Sequence, residues 1–104
     1  MSYEPLKLFQ VHVGFYDKEM GQGVFEMHTN HLVVARDARE AKAKTKAQPW
    51  YAARGCHTDG VQEITAVEGY RICLEADPAL AGGSVLRSYA YEELNPQQPS
   101  LTSL

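Results

Sequence analysis

The apolar periodicity of this chain switches from two to about 3.6 at Asp37, and that switch limits the fold more than any other feature. Residues 24–35 (VFEMHTNHLVVA) read as a strand. Phe25, Met27, His31 and Val33 fall on one face, and Glu26, His28, Asn30, Leu32 and Val34 on the other. Its length calls for a bend or bulge. Both faces carry large apolar groups, so both are expected to be covered. One helix can cover one side; the other needs the C-terminal segment or a second subunit. Residues 37–47 (DAREAKAKTKA) form the clearest helix. Asp37 is a good N-cap, and Glu40 three residues on completes a capping-box-like pattern. Alanine and lysine favour the helix, and Pro49 marks a stop. At about 100° per residue, Val34, Ala38, Ala41 and Thr45 line one narrow stripe, small enough for close approach to a sheet. Arg39, Lys42 and Lys46 form an exposed basic ridge. Trp50 and Tyr51 are expected to plug the gap between helix and sheet.

The flanking segments extend the pattern. Residues 6–14 (LKLFQVHVG) read as a strand with Phe9, Val11 and Val13 on one face and Leu8, Gln10 and His12 on the other. Residues 15–23 read as a loop, whose GQG lacks phosphate-loop spacing and is read as a turn. Residues 54–60 read as a loop running into a strand at 61–67. Glu68 and Gly69 make a tight turn, and residues 70–75 a fourth strand with Tyr70, Ile72 and Leu74 inward. The order is β-β-α-β-β, an α+β fold with one helix packed on a mainly antiparallel sheet. Residues 85–91 fit an edge strand better than a short helix, because Val85, Tyr89 and Tyr91 share a face. Residues 95–104 (NPQQPSLTSL) have the composition of a flexible tail. The expected organisation is one domain over 1–94, with the tail beyond it; 104 residues suit one domain.

Composition bounds the function. The longest apolar run is four residues (LVVA), against about 20 for a membrane span. The first residues lack the basic-then-apolar pattern of a secretory signal, so the expected location is the cytoplasm. Cys56 and Cys73 are then expected as reduced thiols. Net charge is −3, but residues 36–54 hold six basic and two acidic groups, leaving −7 on the remainder. That dipolar layout favours self-complementary association, or is simply a solvated basic face. Negative overall charge and the lack of a recognised motif argue against a nucleic-acid partner.

Two short phrases carry the chemistry: Glu26-Met27-His28 and His57-Thr58-Asp59. On a strand, residues two apart share a face at a spacing of about 7 Å. If the two segments lie side by side, Glu26, His28, His57 and Asp59 converge. Imidazole with carboxylate suits zinc, manganese or ferrous iron, so a divalent transition metal is the candidate cofactor. The alternative is a polar hydrogen-bond cluster in which the carboxylates orient the imidazoles. A third reading is metal-free acid–base catalysis by His57 beside Asp59, or His28 beside Glu26. Cys56 adjoins His57, but adjacent residues of an extended chain point apart, which disfavours a thiol–imidazole pair. His12 and His31 read as ordinary strand residues, although His12 could approach the cluster if the first two strands pair.

The stretches KLFQVHVG, FEMH, LVVARDAREAKAKTKA, CHTD and GYRI together resemble the domain of unknown function 1543 family over residues 6–75. The resemblance implies this fold unit, present in one or two copies per member and consistent with pairing between copies. It implies the same four positions: an acidic residue, spacer and histidine at Glu26 and His28, and a histidine, spacer and aspartate at His57 and Asp59. Thr29 stands where some members have aspartate, and the first loop is fuller. The resemblance implies no activity. The expectation is a homodimeric binding or structural module with an unidentified ligand; the alternative is a metal-dependent, hydrolase-like enzyme.

Overall fold

The computed structural model describes residues 5–19 and 22–95. It has an α+β fold. Strands β1 (Lys7–Tyr16) and β2 (Glu26–Ala35) precede helices α1 (Ala38–Lys46) and α2 (Pro49–Ala53), and strand β3 (His57–Glu63) follows. These strands make an antiparallel sheet in the order β2-β1-β3. A separate hairpin pairs β4 (Ala66–Val67) with β5 (Tyr70–Arg71). Glu68 and Gly69 both have positive φ (51° and 88°), as a two-residue turn between antiparallel strands requires.

The core lies on one face of β1. Phe9, Val11, Val13 and Phe15 are buried there, with Ala35, Ala41, Thr45 and Tyr51. Ala41 and Thr45 bring α1 close to the sheet because both are small, and the Thr45 hydroxyl donates to the Ala41 carbonyl at 2.9 Å. Ala38, expected on the same stripe, is exposed. The helix starts as the sequence indicates: the Asp37 carboxylate accepts from the Glu40 amide at 2.8 Å. Glu40 reaches past the cap, accepting from the Arg36 amide at 3.0 Å and from the Arg36 guanidinium. That guanidinium bond holds the Glu40 carboxyl below its ordinary range.

Several boundaries differ from expectation. β1 runs on through Phe15 and Tyr16, which had read as loop. β2 pairs with β1 over ten residues without a bulge; the irregularity falls instead between β1 and β3, at His12 and Val13. Pro49 follows the end of α1, as expected, and also opens α2, because proline suits the first turn of a helix, where an amide donor is not needed. Tyr51 is buried and Trp50 half-buried from that second helix. β3 begins at His57, four residues earlier than expected. The proposed fourth strand over 70–75 is reduced to Tyr70–Arg71, with Tyr70 78% exposed and Leu74 43% exposed, so these two are not inward.

Residues 85–90 are in neither strand nor helix, and Tyr91–Leu94 form one helical turn, α3. A 3₁₀ turn occupies Pro78–Leu80. Residues 96–104, most of the expected tail, lie outside the described residues. Among the described residues, the far face of the three-stranded sheet carries no helix, and Leu32 there is 48% exposed. Residues 76–85 face its β2 side across a cleft of about 860 Å³. The second cover expected for this sheet is thus not completed by the described chain itself. No described helix is long and apolar enough to cross a membrane.

The cap is testable. Asp37→Ala is expected to cost about 1 kcal/mol, read as a lowered urea midpoint with an unchanged m-value.

Candidate functional site

The open face of the sheet gathers the chemistry. Because β1 pairs with both neighbours, Gly14 stands opposite His28 on β2 and opposite His57 on β3. The two histidine phrases are therefore not adjacent strands; β1 runs between them. Neighbouring strands lie about 4.8 Å apart, so His28 and His57 approach across roughly twice that distance. Only a residue without a side chain can lie beneath them. A Cβ at Gly14 would meet His57 Nε2 at 2.5 Å, Glu26 Oε1 at 2.6 Å and Asp59 Oδ2 at 2.8 Å. Asp59 is brought in by the register shift: His12 faces Gly60 and Val13 faces Thr58, so Asp59 is the extra residue on β3. A bulge of this kind re-aims a side chain.

All four expected residues converge, but the pairing is crossed. His57 Nε2 donates to Glu26 Oε1 at 2.8 Å and lies 3.2 Å from Asp59 Oδ1. His28 Nε2 is 3.2 Å from Asp59 Oδ2 and 3.5 Å from Glu26 Oε1. Each imidazole is thus closer to the carboxylate of the other strand than to the one two residues away. The pairs within each phrase are both present, His57 with Asp59 at 3.2 Å and His28 with Glu26 at 3.5 Å, and the cross-strand pairs are the shorter ones. The four side chains retain between 33% and 47% of their exposure, so the cluster is open to solvent.

Two further residues join it. The His12 ring stacks on His28, with centroids 4.9 Å apart and planes 5° apart. His12 Nδ1 and Asn30 Oδ1 are 2.8 Å apart. Since an amide oxygen only accepts, Nδ1 donates, which leaves Nε2 as the nitrogen with a free lone pair. His12, His28 and Asp59 form one set of donor atoms within 4.8 Å of one another, and Glu26, His57 and Asp59 form a second. His12 was legible as a conditional neighbour. Asn30 and Gly14 were not singled out, although both sit on the open face by simple alternation from His12 and His28.

The donor spacing can be compared with a coordination sphere. Nitrogen and oxygen ligands about 2.0–2.2 Å from an ion lie roughly 3.0–3.5 Å from one another in octahedral or tetrahedral arrangements. Three of the four imidazole–carboxylate separations, 3.2, 3.2 and 3.5 Å, fall there, and the fourth is 2.8 Å. Apart from metal coordination, the arrangement can hold the two outer strands over β1 by hydrogen bonds.

The remaining candidates belong to the other face. His31 meets Trp50 edge-on at 5.5 Å, and burial lowers its pKa. Cys56 packs against the core, and burial raises its thiol above the ordinary value. Cys56 and His57 thus point to opposite faces, as expected of adjacent residues in an extended chain. Both cysteines are free.

A family model described as Domain of Unknown Function (DUF1543) matches residues 23–74, and the chain belongs to that family. The match takes in β2, both helices, β3 and the small hairpin. The first strand, which had seemed part of the resemblance, lies outside it. No curated protein and no solved structure matches.

A pH test separates the two faces. With its folded pKa depressed, His31 binds a proton more readily in the unfolded chain. Stability is therefore complete above the unfolded pKa near 6.5 and falls as pH drops through the folded value. The urea midpoint of His31→Gln is expected to fall less than that of the parent between pH 7.5 and pH 5.

Proposed function

We propose that this domain is a binding module that holds a divalent transition metal on the open sheet face. His28, His57, Glu26 and Asp59 are the ligands, with His12 as an adjoining imidazole. The observation that carries this reading is the convergence of four donor side chains, from two separate strands, over Gly14. Mixed imidazole and carboxylate donors suit zinc, manganese or ferrous iron. Asn30 orients the adjoining His12 ring through Nδ1. An exposed cluster leaves coordination positions for water or a small ligand, which is the feature favouring hydrolase-like chemistry as a second reading.

We further propose that the module works as a homodimer. The sheet face beside the cluster carries Leu8, Leu32 and Val34, and the described chain leaves Leu32 half-exposed there.

Calorimetric titration of the untagged, metal-stripped protein with zinc, manganese or ferrous iron tests the metal. Binding of one ion per chain is expected for at least one of them, weakening as pH falls because protons compete for the imidazoles. His28→Ala and His57→Ala are expected to abolish binding while far-UV circular dichroism stays unchanged. Gly14→Ala should abolish it by spreading the ligands apart. Absence of stoichiometric binding by all three metals, with the histidine variants losing only stability, would assign the cluster to hydrogen bonding.

A further inference from the structure

We infer that the helix side of β2 carries a separate binding site for a small organic oxyanion, a carboxylate or phosphate on a body no larger than a single ring. It lies apart from the cluster on the open face and does not depend on it.

The site is a cleft of about 230 Å³ between β2 and α2, lined by Thr29, Asn30, His31, Trp50 and Arg54. Its walls hold donors and no carboxylate. Arg54 caps the end of α2, and its guanidinium lies over the Phe15 ring, 5.4 Å from the centroid. Among the described residues that guanidinium has no ion pair or hydrogen bond, and neither the Trp50 indole N–H nor the Thr29 hydroxyl has a hydrogen bond.

A fourth donor comes from the backbone. The Leu8 carbonyl accepts from the Ile64 amide at 2.8 Å, beyond β3, and the Val34 carbonyl accepts from the Lys44 ammonium at 2.7 Å. Leu8 stands opposite Val34, so the backbone groups of this pair point away from each other. Asn30 lies four residues before Val34 in an unbroken ladder and repeats its orientation. The Asn30 N–H therefore points out of the free edge of β2, where the cleft lies.

These groups suit an anion. A guanidinium presents a planar fork that two oxygens of a carboxylate or phosphate match. The indole N–H, the hydroxyl and the backbone N–H add donors to it. Residues 36–54, the segment that ends in Arg54, hold six basic groups against two acidic in a chain of net charge −3, and such a local field draws anions. The half-buried indole, met edge-on by His31 at 5.5 Å, supplies an apolar wall for the body of the ligand. Sites for drug-sized molecules run to about 300–1,000 Å³, so this smaller cleft takes a smaller ligand.

Trp50 is the only tryptophan in the chain, so intrinsic fluorescence reports this cleft. Titration of the intact chain with benzoate and with phenyl phosphate is expected to change it saturably for at least one of them at millimolar concentration, and the tighter of the two identifies the head group. Benzamide, uncharged and close to benzoate in shape, is expected to give no comparable change. Arg54→Gln should weaken binding about tenfold or more, and Thr29→Val about threefold. Far-UV circular dichroism of both should match the parent, because both side chains are exposed. Arg54→Lys, which keeps the charge and loses the fork, should fall between the parent and Arg54→Gln. No saturable change with either probe, an equal response to benzamide, or binding indifferent to Arg54→Gln would overturn the site.

Discussion

The ten-residue antiparallel pairing of β1 with β2, from Lys7 opposite Ala35 to Tyr16 opposite Glu26, is the constraint on which everything else depends. Side chains alternate with a period of two, so register decides face. In this register Phe9, Val11, Val13 and Phe15 enter the core while His12 and Gly14 face outward with His28, Asn30 and Glu26. A slip of one residue in the strand's facing would exchange the two sets, exposing the core and burying the imidazoles. The apolar face thereby specifies the polar one. β3 completes the arrangement with its bulge, which adds Asp59 to the outward set without displacing Thr58, whose hydroxyl hydrogen-bonds that of Tyr51 at 3.0 Å on the core side.

The two faces are chemically opposed. On the helix side, burial dominates: it lowers the His31 pKa and raises that of Cys56. On the open side, two carboxylates and three imidazoles share a small, half-hydrated area. Like charges so close repel unless cations, protons or a metal ion lie between them. The crossed contacts, His57 to Glu26 and His28 to Asp59, are how the side chains alone resolve this. The smallest residue is placed where the four converge. Gly14 needs no unusual backbone conformation; it is required because a methyl group would occupy the space the ligands use.

Much of this could be read from the residues. The alternation of β1, the Asp37 cap and the shared face of Glu26 and His28 follow from local rules of periodicity and capping, and these govern short stretches strongly. What could not be read depends on partners distant in sequence. That His57 and Asp59 lie on a strand is decided by pairing with β1, since RGCHTDG is rich in turn-forming residues. The interposition of β1 between the two phrases is a matter of strand order, and it is what gives Gly14 its role. Ile72 and Leu74 alternate as a strand should, yet alternation does not say whether a partner strand exists. For residues 74–94 the pattern gives apolar character but does not say whether those side chains are buried. Pro49 marks the stop of α1 as expected, but a proline can also open a helix, and its identity alone does not reveal α2.

Anomalous diffraction from crystals grown with zinc or manganese tests the central assignment most directly. The account predicts one strong peak above Gly14, about 2.0–2.2 Å from nitrogens of His28 and His57 and from oxygens of Glu26 and Asp59. A map with no peak there, or with the metal held elsewhere while the four side chains keep their mutual hydrogen bonds, would contradict it.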